Sequence, residues 1–200
     1  VYPTEKVVVL KTDLFPSCMR FLFNPGNSEV YVTDIDILIL PHKISHFEYF
    51  SKYKVYGASY MRGCDWSSEG EWKGENSRIC GGFALLGPEY YERTAKARNK
   101  YFDVNEIEDY RAFDEIMFCR ILKSSGYPIP ITPYTFPNGE AWDPSYRDLH
   151  LHDFRNRKFE KWKPDKMKLA TLFKDLNFIS LVKGLSQYWY DLIGDVEDYI

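Results

Sequence analysis

The chain has 200 residues, with 26 Lys and Arg against 29 Asp and Glu, and it carries 16 Tyr, 14 Phe and 5 Trp. Apolar content of 44% with 28% charged residues excludes a disordered chain and predicts one domain, or one domain with a small appendage, around a real core. A net charge of −3 without a basic block argues against a protein whose main work is neutralising nucleic-acid phosphates.

The first predicted element is a short β-branched strand at Lys6–Leu10, followed by a helix over Phe15–Phe23 after Thr12 or Asp13 as N-cap. Asn24-Pro25-Gly26-Asn27 is a stop. Glu29–Leu40 then reads as a strand apolar on both faces, as a central strand of a covered sheet would be, interrupted by Asp34 and Asp36. Residues 42 to 60 mix helical and strand patterns, and Arg62–Ser77 reads as a long surface loop rich in Gly, Ser, Glu and Trp. Ile79–Leu86 is a second buried strand, and Pro88 opens a helix that runs to about Lys100. A further helix from about Ala112 to Lys123 ends at Ser124-Ser125-Gly126. Residues 127–148 hold five prolines and read as irregular, and helical spacing resumes beyond Pro164.

The four cysteines, Cys18, Cys64, Cys80 and Cys119, form no CxxC pair and no regular framework, which fits a reducing, cytoplasmic compartment better than a secreted scaffold. No apolar run approaches the roughly 20 residues of a membrane-spanning helix, so no transmembrane segment is expected. The chain opens on Val1 with no charged-then-apolar leader, and the expectation is a cut or processed piece without a signal peptide.

Asp34-Ile35-Asp36 is the sharpest chemical feature. Two carboxylates two residues apart would share one face of a strand, and burying them without a counter-ion would cost several kcal/mol. The pair therefore belongs where the strand breaks into a turn, either as turn residues or as oxygen ligands for Mg²⁺ or Mn²⁺ held against a diphosphate.

Phe15-Pro-Ser-Cys-Met-Arg20-Phe-Leu-Phe23 followed by Val30-Tyr-Val-Thr-Asp34-Ile-Asp36-Ile-Leu38 resembles nucleotide-sugar glycosyltransferases of the GT-A fold, in particular the glycogenin-like and galactosyltransferase-like group. The resemblance covers residues 6 to 163. It implies an α/β fold with a Rossmann-like mixed sheet flanked by helices, a catalytic domain over 1–164 and a helical segment over 165–200 packed on it. Asp34 and Asp36 would be the metal-binding DxD, and Arg20 would point at the donor sugar or pair with one of those aspartates. Gly81 and Gly82 would form the strand beneath the donor sugar, where missing side chains let backbone amides approach; a β-bulge or a tight packing contact is the alternative, and two adjacent glycines inside an apolar strand favour close approach. Asp114 and Glu115 resemble the acidic motif that opens a helix beside the acceptor. One of them would take the acceptor proton in an inverting enzyme, or steady the donor sugar in a retaining one.

The segment from Asp148 to Lys158 resembles the family's late H-x-x-G-x-x-K motif, with His152 or its rival His150 completing the metal shell and Lys158 holding the diphosphate. Arg155 stands where the family has Gly. Trp66 and Trp72, with Tyr60, would offer a stacking platform for an acceptor sugar or simply pack. Only 33 residues precede Asp34, fewer than the family's nucleotide-binding half needs, so the N-terminal half is expected to be truncated, supplied elsewhere or lost in a degenerate relative.

The expected function is thus metal-dependent transfer of a hexose from a nucleotide diphosphate sugar, a UDP-sugar first, to a glycan or other hydroxyl acceptor, with Mn²⁺ or Mg²⁺. Two rivals remain. A haloacid-dehalogenase-like phosphatase also places Asp-x-Asp after an apolar strand, but wants Thr or Val where Leu38 stands. A non-catalytic carbohydrate-binding or interaction domain would bind sugar without regard to chelators.

Overall fold

The computed structural model describes residues 16–34, 37–39, 42–63, 79–103, 113–147 and 149–150. The chain divides into two compact units, one of Leu10–Asp34 with Pro41–Tyr146, the other of Val1–Val9, Ile35–Leu40 and Arg147–Ile200. The strand expected at 6–10 and the helical segment beyond Pro164 lie outside the described residues, as does the expected boundary at 164.

The larger unit is mixed α/β. Helix α1 (Pro16–Leu22) leads into strand β1 (Val30–Thr33). Helix α2 (His46–Ser51) begins at Ser45, whose hydroxyl accepts from the Glu48 amide at 3.1 Å and so satisfies one of the amides a helix start leaves open. Strands β3 (Ala58–Arg62) and β4 (Ile79–Leu86) follow, then helices α3 (Pro88–Arg93), α4 (Ala95–Asn99) and α5 (Phe113–Ser124). The sheet order is β1-β4-β3, and every pairing in it is antiparallel.

Side-chain alternation sorts the helices onto two faces. Val32, Tyr60, Ala84 and Leu86 point to a core shared with Phe21 and Leu22 of α1, Tyr90 of α3 and Met117, Phe118, Ile121 and Leu122 of α5. Phe21 stacks on Phe118 with ring centroids 4.1 Å apart. On the opposite face Tyr31 meets Phe47 and Phe50 of α2. Burial of these side chains at about 25 cal/mol per Å² is the main force holding the layers.

Four sequence expectations change. The run Glu29–Leu40 is not one strand: β1 ends at Thr33, and Ile37–Leu38 (β2) pairs in the smaller unit with Leu149–His150 (β5). The ladder breaks at Asp34, whose carboxylate pairs with Arg20 rather than entering the sheet. The helix expected over 88–100 divides at Thr94. Its hydroxyl donates to the Tyr90 carbonyl at 2.6 Å, a back-bond that bends helices, and accepts from Arg98 Nε at 3.0 Å. Arg62 belongs to β3 and is buried, not part of a surface loop. Finally, the proline-rich stretch is not wholly irregular. Thr135 bridges Ala141, the Phe136 amide donates to the Glu140 carbonyl at 2.9 Å, and Gly139, with φ of 87°, turns the chain.

Arg98 is 4% exposed and ties the helical layer together. Its guanidinium donates to the carbonyls of Leu22, which ends α1, and Tyr91 in α3, at 2.6 and 2.7 Å. Burial without a carboxylate lowers its pKa from the ordinary arginine value. Cys18, Cys80 and Cys119 are free thiols.

Candidate functional site

The site is built at the end of the larger unit's sheet where β1 finishes. Asp34 is the first residue after β1, so it leaves the ladder on the face that Val32 shares with α1 and α5. Arg20 sits on the last turn of α1, and Asp114 and Glu115 occupy the first turn of α5, where carboxylates are favoured by the helix dipole. The Arg20 guanidinium bridges Asp34 and Asp114, one nitrogen to each carboxylate. Asp114 is only 5% exposed, so this pairing is what permits its charge to be buried. Burial opposes the charge on Arg20, but its two aspartates outweigh that and raise its pKa.

Gly81 closes the cluster from the sheet. Its amide donates to Glu115 Oε1 at 2.9 Å. A Cβ built on Gly81 would lie 2.7 Å from Arg20 Nη2 and 3.0 Å from Glu115 Cγ, so the absence of a side chain is what lets both groups reach the strand. The ladder is also irregular here. Tyr60 pairs with Ala84 while Arg62 pairs with Ile79, so a two-residue step on β3 faces a five-residue step on β4. The structure thus shows a tight packing contact at Gly81 and a bulged strand around it.

Four of the expected site residues, Arg20, Asp34, Asp114 and Glu115, thus meet with Gly81 between them, although up to 95 positions separate them in sequence. Gly82 lies in the same bulge and is buried. In the smaller unit the β2–β5 register sets His150 opposite Ile37, the residue after Asp36. Asp36, His152, Arg155 and Lys158, with Trp66 and Trp72, lie outside the described residues. Tyr60 does not form an acceptor platform. It is fully buried, and its hydroxyl donates to the Pro128 carbonyl at 2.7 Å.

One residue of the cluster escaped sequence reasoning. The Cys80 thiol is pushed up, first by burial and then by the Glu115 and Asp34 carboxylates, which favours its protonated form. Its only sequence signal was its place beside Gly81.

Among the five expected residues that meet here one guanidinium stands against three carboxylates, two of them paired with it and the third accepting from the Gly81 amide. Among the described residues no three His, Cys, Asp or Glu side chains are grouped closely enough to hold a metal by themselves. Asp34, with its side chain 31% exposed, is the described carboxylate of the expected DxD. Among the described residues no helix is long and apolar enough to cross a membrane. Compared with protein-family models, with curated proteins and with solved structures, the chain matches none.

Proposed function

We propose that this chain is the catalytic part of a metal-dependent glycosyltransferase of the GT-A kind, moving a hexose from a nucleotide diphosphate sugar, a UDP-sugar first, to a hydroxyl acceptor in the cytoplasm. The observation that carries the reading is the convergence of Arg20, Asp34, Gly81, Asp114 and Glu115, chosen from sequence motifs far apart, into one ion-paired cluster. The register that pairs His150 with Ile37, the residue after Asp36 in sequence, is in keeping with it.

In this reading Asp34 and Asp36, with His152 or His150, hold Mn²⁺ or Mg²⁺. The bound ion supplies electrostatic stabilisation of the leaving diphosphate. Arg155 and Lys158 add positive charge on the same group. Arg20 fixes Asp34 and Asp114 relative to each other, and the backbone at Gly82 would form the floor beneath the donor sugar, the space over Gly81 being filled by Arg20 and Glu115. Glu115, oriented by the Gly81 amide, and Asp114, oriented by Arg20, face the acceptor side, where one accepts the acceptor proton or steadies the donor sugar.

The test is calorimetric titration of UDP, then GDP, with Mn²⁺ and again with EDTA, on the wild type and on Asp36→Ala. Binding that requires both Mn²⁺ and Asp36 is the expected result. Failure of both nucleotides to bind overturns the proposal and leaves a carbohydrate-binding domain as the better account.

A further inference from the structure

The turn at 131–143 presents an aromatic surface that nothing above uses. Tyr134 is 49% exposed, and its backbone is left-handed, with φ of 58°, a conformation that a bulky residue adopts only where its surroundings enforce it. The enforcement is visible. The Tyr134 amide donates to the Arg62 carbonyl and its own carbonyl accepts from the Trp142 amide, each at 2.9 Å, while its ring stacks on Trp142 at an interplanar angle of 18°. Trp142 is 6% exposed and rests in turn on Phe83 of β4, with centroids 5.4 Å apart. Its indole Nε1 is buried with no hydrogen-bond partner among the described residues. One ring is therefore held rigidly outward, backed by two buried ones.

We propose that Tyr134 is a saccharide-stacking platform that takes the face of a neutral pyranose ring. Three features select this occupant. The exposed apolar side chains on the turn are Tyr134 and Ile131, enough to cover one sugar ring and far short of a stable protein interface. The segment from 131 to 143 holds Glu140 and Asp143 and no Lys or Arg, and the Arg62 guanidinium beneath it is buried and donates to the Ile131 carbonyl, so the turn presents no exposed cation for a phosphate or an acidic chain. A ring already locked in place loses little freedom on binding. Phe83 pairs with Thr33, the residue before Asp34, so the platform lies at the same end of the sheet as the acidic cluster. Its service as the seat of the glycan acceptor rests on the transferase reading; saccharide binding itself requires neither metal nor nucleotide.

The experiment is affinity electrophoresis and calorimetry in EDTA, without nucleotide, against maltohexaose, cellohexaose, chitohexaose and mannohexaose, with a proline-rich peptide as competitor. Tyr134→Gly and Tyr134→Asn both accept a φ of 58° and remove the ring, and Tyr134→Phe keeps it. At least one hexaose should bind the wild type and Tyr134→Phe, with affinity falling roughly tenfold in Tyr134→Gly and Tyr134→Asn while both variants remain folded at the assay temperature. Absence of binding by every hexaose, binding by the two ring-less variants as tight as by the wild type, or binding of the peptide in their place overturns the proposal. Because EDTA is present throughout, none of these outcomes depends on whether UDP binds with Mn²⁺.

Discussion

Replacing Gly81 by Ala tests whether the cluster is as rigid as its pairing implies. The new methyl would sit 2.7 Å from Arg20 Nη2 and 3.0 Å from Glu115 Cγ, well inside van der Waals contact. An arginine tip normally swings away at little cost, but here the guanidinium is held by Asp34 and Asp114 together. Two responses are open. Arg20 gives up the buried Asp114, at about 3–5 kcal/mol, or β4 moves back and strains the Gly81–Glu115 hydrogen bond, at the 1–3 kcal/mol typical of overpacking. The cheaper route decides, so the expected loss is about 2 kcal/mol, or about 4–8 °C in Tm for a chain of this size. Gly63→Ala is the control. Its Cβ would meet Cys80 at 3.8 Å, ordinary contact, and the change should stay within about 0.5 kcal/mol. Urea denaturation of both variants gives the comparison, and Arg20→Ala in each background completes a cycle. Removing Arg20 removes the clash, so the double variant should be more stable than additivity allows by about 1 kcal/mol or more. A Gly81→Ala protein as stable as Gly63→Ala, or an additive cycle, would refute a guanidinium fixed against the strand.

Two further expectations concern stability alone. Arg98→Met keeps much of the buried volume but leaves the Leu22 and Tyr91 carbonyls without their donor, and should cost about 3 kcal/mol by urea titration; a loss under 1 kcal/mol would mean that water replaces the guanidinium. Alkaline pH should unfold the protein early. Burial first pushes the Cys18 thiol from 9.0 to about 11, and the Tyr49 and Tyr91 phenols from 10.0 to about 12. The folded state then keeps protons that the unfolded chain releases, so stability is intact below pH 9 and falls as pH rises from 9 to 12, by at most about 2–3 kcal/mol per group. Urea midpoints measured from pH 7 upward should decline across that window, and a flat profile would contradict the burial of these groups.

The sequence made α5 and β4 legible because their local chemistry and their surroundings agree. Phe113, Met117, Phe118, Ile121 and Leu122 recur at helical spacing on the face that shares a core with α1, and β4 is apolar on both faces because it is the middle strand, covered on both. The same rule misreads Glu29–Leu40. Val32 is covered by α1 and α5 while Tyr31 is covered by α2, so β1 is apolar on both faces over only four residues, and hydrophobicity reports that cover without reporting where the ladder stops. The break is set by an ion pair with a residue 14 positions earlier, which no periodicity encodes. Likewise the division at Thr94 depends on a hydroxyl turned back to Tyr90, a choice that a threonine in a helix does not announce.

The candidate site was legible in a different way. Asp34 stood out as a charge in an apolar run and Gly81 as a glycine inside a strand, whereas Arg20, Asp114 and Glu115 were singled out by the resemblance to GT-A enzymes. Such costs are removed only by partners, and a partner need not be near in sequence. Gly81 has no side chain because Arg20 and Glu115 fill its space, and Arg20 is tolerated in a half-buried position because two aspartates share it. Each anomaly is thus the explanation of another, which is why residues flagged singly close into one cluster. Tyr134 shows the converse. Nothing in Pro-Tyr-Thr is costly until the backbone is seen to be left-handed, so a rigid outward ring leaves no mark on the sequence, although it is held by Arg62 and Trp142 as firmly as any core residue. Residues whose cost is chemical can be read from the chain, whereas those whose cost is conformational need the fold.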